Sequence, residues 1–336
     1  MQSSRIFIVG SGVVGAATGE GFLKAGHKVT FIDVAPARIA ELTTRGFDVR
    51  TEIDLSGEPE SLIFLTLPTP HEGHRYDLTA FEAGTTSVGK ALAGSATRHT
   101  VIVRSTVPPG TTEGLVKDTL EKHSGMTANE GFGLASNPEF LRAVSAAEDF
   151  ANPWMTIVAG RDPQTVERLR DLLSPFGGEL RTFTNPAEAE FIKAAHNIYN
   201  ATKISFWNEM WLVAQKMGVD LDPIAATVAR SAEGSINPQY GIRGGAPYGG
   251  VCLPKDTTGF LGFADTIGVD MPLLTAVVET NDRLAAIVSD EVDTASHAAS
   301  HAQLRESAAT ATTGTAATDP ADEAVAASGR QQHEPA

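Results

Sequence analysis

Arg5-Ile-Phe-Ile-Val-Gly-Ser-Gly-Val-Val-Gly15 decides the fold. Arg5 to Val9 is a short apolar run of the kind found in buried parallel strands. Gly10 makes the tight turn that follows, Gly12 lets the backbone approach a pyrophosphate, and Gly15 permits close packing of helix on strand. The helix so opened ends near Gly26, and Lys28 to Asp33 reads as a second strand closed by an acid. A glycine pattern alone is weak evidence. With a strand before it, a helix after it and Asp33 at the expected distance, it specifies a dinucleotide fold. Asp33 can bond both ribose hydroxyls and would repel a 2′-phosphate, so NAD is expected rather than NADP.

The α/β alternation continues. Leu62 to Leu67, Val101 to Val103 and Gly133 to Ala135 read as strands, each followed by a loop: Pro68-Thr69-Pro70, Ser105-Thr106-Val107-Pro108-Pro109-Gly110 and Asn137-Pro138-Glu139-Phe140-Leu141-Arg142. Ligands in such sheets bind beyond the carboxyl ends of the strands. Thr106 and Glu139 are therefore delivered to the nicotinamide side, although ordinary turn and cap chemistry accounts for them equally well. A last β-α-β stretch runs through Thr156 to Ala159, Asp162 to Pro175 and Leu180 to Thr182.

Pro186 to Met217 predicts one long helix, with proline in its first turn and Gly218 past its end. Lys193 and Asn197 share a face of it, one turn apart. Beside them Ile198, Thr202, Phe206 and Met210 form an apolar stripe suited to burial. On the residues alone, a lysine and an asparagine in that setting read as a solvated edge. A helix over Asp222 to Arg230, a glycine-rich loop over Gly234 to Gly250, a helix ending near Gly268 and a final one from about Pro272 complete the pattern.

The single cysteine, Cys252, lies in Gly-Gly-Val-Cys-Leu-Pro-Lys-Asp, Gly249 to Asp256. Two glycines permit close backbone approach, and Pro254 suits a first helical turn. Cys252 is then expected just ahead of a helix N-terminus, whose dipole favours the thiolate, with Asp256 nearby. The alternative is a buried cysteine serving as a small hydrophobe.

Composition limits the rest. A net charge of −15 over 336 residues argues against a nucleic-acid partner. One cysteine fits a reducing compartment, and no apolar run approaches the roughly 20 residues of a membrane span, so a cytoplasmic protein with no membrane partner is expected. His71 and His74 in His-Glu-Gly-His lack the helical spacing for zinc, and no metal is expected. From Asp293 the chain turns to Ala, Ser, Thr, Asp and Glu, a composition expected to be disordered. The expected organisation is a Rossmann-like doubly wound domain over 1–185, an all-α central domain over 186–292 and a tail over 293–336.

Ser-Thr-Val-Pro-Pro-Gly, Asn-Pro-Glu-Phe-Leu-Arg, the run Glu190 to Glu209 and the Cys252 octet occur in that order behind the dinucleotide motif. Together, over about Arg5 to Arg283, they resemble the UDP-glucose/GDP-mannose dehydrogenase family. The resemblance implies oxidation of a nucleotide sugar's C6 alcohol to the acid, with two NAD used in succession. UDP-glucose is the default substrate, ahead of N-acetylated UDP-hexoses and GDP-mannose. It implies that Cys252 is the nucleophile, Lys193 with Asn197 the stabiliser of a developing oxyanion, and Asp256 the acid that handles water. Thr106 and Glu139 would position water and substrate. The expected cofactor set is Gly10, Gly12, Val13, Val14, Gly15, Asp33, Arg38, Thr69 and Thr106. The expected substrate set is Phe140, Leu141, Arg142, Lys193, Asn197, Tyr240, Arg243 and Gly249. A homodimer through the central helices is implied as well. Ala143 stands where relatives commonly carry glutamate, and the family's third, nucleotide-binding domain is expected to be lacking. A non-catalytic NAD-binding paralogue that pairs with a full-length enzyme is the alternative. A one-hydride relative of the β-hydroxyacid or 6-phosphogluconate dehydrogenases is a third reading, which needs no cysteine.

Overall fold

A computed structural model describes residues 3–72, 75–142, 144–231, 241, 244–250 and 252–289. His74, Ala143, Tyr240, Arg243 and the expected tail lie outside these residues. The chain forms two compact units that divide at Thr202/Lys203.

The first unit is built on a mostly parallel sheet of eight strands. Its strands are β1 (Arg5–Val9), β2 (Lys28–Ile32), β3 (Val49–Arg50), β4 (Ser61–Leu65), β7 (Thr100–Val103), β8 (Gly133–Ser136), β9 (Met155–Ala159) and β10 (Glu179–Phe183); β5 (His71–Glu72) and β6 (Arg75–Tyr76) pair as a separate hairpin. The sheet order is β10-β9-β8-β7-β4-β1-β2-β3. Successive strands leave β1 in opposite directions, so the switch point lies between β1 and β4, where a dinucleotide crevice forms. β9 meets β8 antiparallel through the single pair Ser136–Ala159, while β10 runs parallel to β9.

Alternation along the strands sorts the core onto two faces. Phe7, Val9, Ile63, Leu65, Val101 and Val103 pack with Phe81, Val88 and Leu92 of α3 (Thr79–Ala93) and Leu120 of α4 (Lys117–Ser124). Ile6, Ile8, Phe31, Leu62, Phe64 and Ile102 pack with Phe22 of α1 (Val13–Lys24), Leu42 of α2 (Pro36–Thr44), Phe150 of α5 (Ala146–Ala151) and Leu169 and Leu172 of α6 (Pro163–Leu173). Strands buried on both sides explain the apolar runs read from the sequence.

α7 occupies Pro186–Met217, with the bounds expected, and Gly218 beyond it takes φ 69°. α8 (Leu221–Ala229) is capped by the Asp220 side chain, which accepts the Asp222 N–H. α9 spans Cys252–Thr266, and residues 272–289 are helical. In the second unit, Val213, Ala264, Val269 and Met271 form a small core with Met210 and Phe260 around them. The Glu209 carboxylate accepts the N–H groups of Leu273 (2.5 Å) and Leu274 (3.1 Å), capping the helix over 272–289. The stripe expected to be buried on α7 is a correction: Ile198 is 65% and Phe206 39% exposed, and Thr202 is exposed. Of the four, Met210 packs against the small core of the second unit, while Ile198, Thr202 and Phe206 share its face but stay exposed.

Candidate active site

At the carboxyl ends of β1, β2, β4 and β7 lies a cavity of about 840 Å³. It is lined by Gly10 to Val14, Asp33, Arg38, Thr69, Thr106 and Glu139 among others, so most of the expected cofactor set converges on one space. Each glycine there has a distinct reason. Gly10 takes φ 90°, closed to most L side chains, and a Cβ on it would sit 2.8 Å from the Thr66 carbonyl. A Cβ on Gly15 would sit 2.1 Å from the Gly10 carbonyl oxygen. One on Gly12 meets nothing within 4 Å. Gly12 is also the N-cap of α1, and no side chain caps that end. The free N–H groups and the open space above Gly12 fit a pyrophosphate.

Those contacts set up a paired expectation. Gly15→Ala should cost about 1–3 kcal/mol through overpacking and lower the melting temperature and NAD affinity together. Gly12→Ala should leave melting unchanged and weaken NAD alone, about tenfold for a loss of about 1.4 kcal/mol. Thermal melting and calorimetry on both variants check this. Equal melting losses in the two would contradict it.

Asp33 stands at the end of β2. Burial opposes its ionisation, but hydrogen bonds from the Ser11 hydroxyl and from the Ala35, Ser11 and Val34 backbone outweigh that and hold its carboxyl below the ordinary range. The Ser11 and Ala35 N–H groups lie 2.8 and 2.9 Å away. An ionised acid here receives hydroxyls and repels a phosphate. Arg38 is held beside it, its Nε donating to the Ser11 carbonyl and its Nη1 to Glu41. The Thr69 hydroxyl donates to the Thr106 carbonyl at 2.7 Å, joining the two proline-rich loops.

Glu139 and Lys193 meet. Lys193 Nζ lies 3.3 Å from Glu139 Oε1, with both side chains buried to about nine-tenths. The Leu141 N–H donates to Glu139 Oε2, and Phe140 places its ring 5.3 Å beneath the Lys193 ammonium. The solvated edge read for Lys193 from α7 alone is thus corrected: the lysine is 5% exposed, because its partner comes from the loop after β8. Asn197, one turn on, is exposed. Arg142 turns away to Asp149, its Nη2 2.6 Å from Oδ1.

Four residues here carried no separate reading in the sequence. Arg104, buried at the end of β7, donates from Nε to Thr18 of α1 (2.9 Å) and from Nη1 to Asn137 Oδ1 (2.6 Å). Burial draws its guanidinium down to about 10, against the nearby Glu139 charge; it stays a cation at neutral pH. Trp154 stacks on His196, and both rings meet Phe140 edge-on. Glu190, one turn before Lys193, is 3% exposed and accepts from Gly110 and Thr112. Burial raises its carboxyl, against hydrogen bonds from Thr112, Gly110 and Thr111. Its place in the run that carries Lys193 was the one available signal.

Cys252 and Asp256 belong to the second unit. Cys252 is the first residue of α9 and exposed, so the helix starts at the cysteine rather than at Pro254. The first-turn N–H groups have no intrahelical acceptor, which lets Pro254 stand third. Asp256 is one turn on from Cys252, the spacing of a shared face, and pairs with Lys255 at 2.6 Å on the surface. The loop ahead of the cysteine is tied to the helix over 272–289: the Tyr248 N–H donates to Asn281 Oδ1 (2.7 Å), and Asn281 Nδ2 donates to the Tyr248 carbonyl (3.2 Å). Gly249 is exposed.

Comparison with known proteins joins these parts. The NAD-binding-domain profile of the UDP-glucose/GDP-mannose dehydrogenase family matches residues 43–177, and its central-domain profile matches 187–283. A GDP-mannose 6-dehydrogenase of Pseudomonas syringae pv. syringae is 32% identical over 299 residues, covering 82% of this chain and 68% of that protein. The chain belongs to the UDP-glucose/GDP-mannose dehydrogenase family. A UDP-glucose 6-dehydrogenase of Haloferax volcanii is also 32% identical, over 301 residues, 83% of this chain and 69% of that protein. The crystal structure of a ternary complex of GDP-mannose dehydrogenase from Pseudomonas aeruginosa superposes with a TM-score of 0.78 at 30% identity, covering 86% of this chain and 71% of that one. A ketopantoate reductase PanE/ApbA profile matches residues 6–79, the stretch that holds the glycine turn. NAD is the cofactor, and the chain carries the family's oxidoreductase scaffold. Among the described residues no helix is long and apolar enough to cross a membrane.

Proposed function

We propose that the chain oxidises the C6 alcohol of a nucleotide hexose to the acid, with UDP-glucose as the default substrate and GDP-mannose and N-acetylated UDP-hexoses as rivals. The observation that carries this reading is the buried Lys193–Glu139 pair, whose carboxylate also lines the cofactor cavity. NAD, when bound there, accepts hydride from carbon. In the first oxidation C6 loses a hydride and its hydroxyl a proton, giving an aldehyde. The Cys252 thiolate adds to the aldehyde carbon as a thiohemiacetal. A second hydride and proton leave that carbon, giving a thioester. Water, handled by Asp256, then adds and expels the thiolate, releasing the carboxylate. The net change is one alcohol, one water and two NAD⁺ converted to one acid, two NADH and two protons. The Lys193 ammonium stabilises the oxyanion formed at each addition, with Asn197 beside it. Glu139 holds the lysine, and Thr106 orders the nicotinamide-side loop.

The proposed boundaries are 1–185 for NAD binding and 186–292 for the central domain. A homodimer through the central helices is part of the same reading, supported by the exposure of Ile204, Trp211 and Leu212 on α7 and of Ile224 and Val228 on α8. NADH formation assayed on UDP-glucose, GDP-mannose and UDP-N-acetylhexosamines should give two NADH per sugar with one of them, from material that scatters light as a dimer. NAD binding without turnover on any nucleotide sugar would support the non-catalytic paralogue, and one NADH per substrate would return the one-hydride reading.

A further inference from the structure

We propose that Glu190 is a positioning residue: its buried carboxylate clamps the loop that carries Thr106 to the helix turn that carries Lys193. The role rests on the functional reading above. The helical segment after Ser-Thr-Val-Pro-Pro-Gly opens with a π-turn over Thr112–Val116, and no side chain of its own caps it. Its first N–H groups have no intrahelical acceptors. Glu190 supplies them from 80 residues away in the chain. One carboxylate oxygen accepts the Gly110 N–H, and the other accepts the Thr112 N–H (2.8 Å) and hydroxyl (2.6 Å). The carboxylate and its Thr112 partner are buried, at 3% and 0% exposed, while Gly110 lies at the surface.

The two ends of the clamp both lead to the site. Thr106 lies four residues before Gly110, across two prolines that stiffen the connection, and its carbonyl accepts the Thr69 hydroxyl beside the cofactor cavity. Lys193 lies three residues after Glu190, on the same helical face, and reaches Glu139. The carboxylate therefore spans the parts that set the cofactor and the part that sets the ammonium. A neutral amide cannot replace it. Glutamine presents one acceptor and one NH₂, so a donor would face either the Gly110 or the Thr112 N–H.

Glu190→Gln and the milder Thr112→Val test the clamp. Glu190→Gln should lower kcat per bound NAD about 100-fold, the effect of a displacement near 1 Å, and Thr112→Val about tenfold. Both variants should still bind NAD, since Gly10 to Gly15 and Asp33 are untouched. Turnover per bound NAD within about twofold of wild type in both variants would overturn the proposal, as a purely structural role would change only the amount of folded protein. Amide exchange supplies a readout that needs no substrate. In wild type, NAD should slow exchange over 106–116 and 186–197 together; in Glu190→Gln it should slow only 106–116. A response over 186–197 that is the same in the two proteins, or absent from wild type, defeats the clamp. A wild type inert towards every nucleotide sugar removes the functional reading alone, and the exchange result still judges Glu190.

Discussion

Cys252→Ser is expected to abolish acid formation while leaving the first oxidation possible. A thiol at neutral pH is a few per cent ionised and intrinsically very nucleophilic; an alcohol is neither without a neighbouring base. Among the described residues no histidine is hydrogen-bonded to Cys252, and its neighbour one turn on, Asp256, is engaged with Lys255. Serine should therefore fail to capture the aldehyde. Loss of a covalent nucleophile can cost about 10⁶-fold in turnover, and an effect of that order is expected on the four-electron product. Single-turnover experiments with a carbonyl trap should find one NADH and a trapped aldehyde, while calorimetry finds NAD bound as in wild type. Cys252 is exposed, so melting should not change. Acid produced at the wild-type rate by Cys252→Ser would end the covalent mechanism.

Local signals made much of the fold legible. β1, the glycine turn, α1 and Asp33 lie within one short stretch, and each demands the next. Pro186 and Gly218 bracket α7 because proline fits only a first turn and a positive φ ends a helix. α3 gave no such signal: its sequence, Thr-Ala-Phe-Glu-Ala-Gly-Thr-Thr-Ser-Val-Gly-Lys-Ala-Leu-Ala, is rich in poor helix formers, and Phe81, Val88 and Leu92 packing on the sheet holds it. The site was legible as motifs but not as partnerships. Nothing in Glu-Phe-Ile-Lys reveals that the glutamate reaches Thr112 and the lysine Glu139. Those contacts arise when the loops after β7 and β8 close over the start of α7. Burial decided by a distant loop is invisible to periodicity, which is why Lys193 reads locally as an edge.

That same burial makes Lys193 and Glu139 separable in stability and inseparable in chemistry. Lys193→Met should leave a carboxylate nine-tenths buried without its cation. Breaking one side of a buried pair costs about 3–5 kcal/mol, and at roughly 2–4 °C per kcal/mol for a domain of this size the melting temperature should fall by about 6–20 °C. Arg104 offsets part of this, since its charge acts on Glu139, so the lower end is expected. Removing both charges in Lys193→Met/Glu139→Gln should recover most of the melting loss, because a pair replaced together by neutral side chains is often no less stable. Turnover should behave otherwise. Loss of one oxyanion donor costs about 10²–10³-fold in kcat, and the double variant should stay at least as impaired as Lys193→Met because neither charge remains to act on the reacting carbon. Melting curves and kcat for the three proteins make the comparison. A double variant that regains turnover along with its melting temperature would mean that the pair holds the fold and does not touch the substrate.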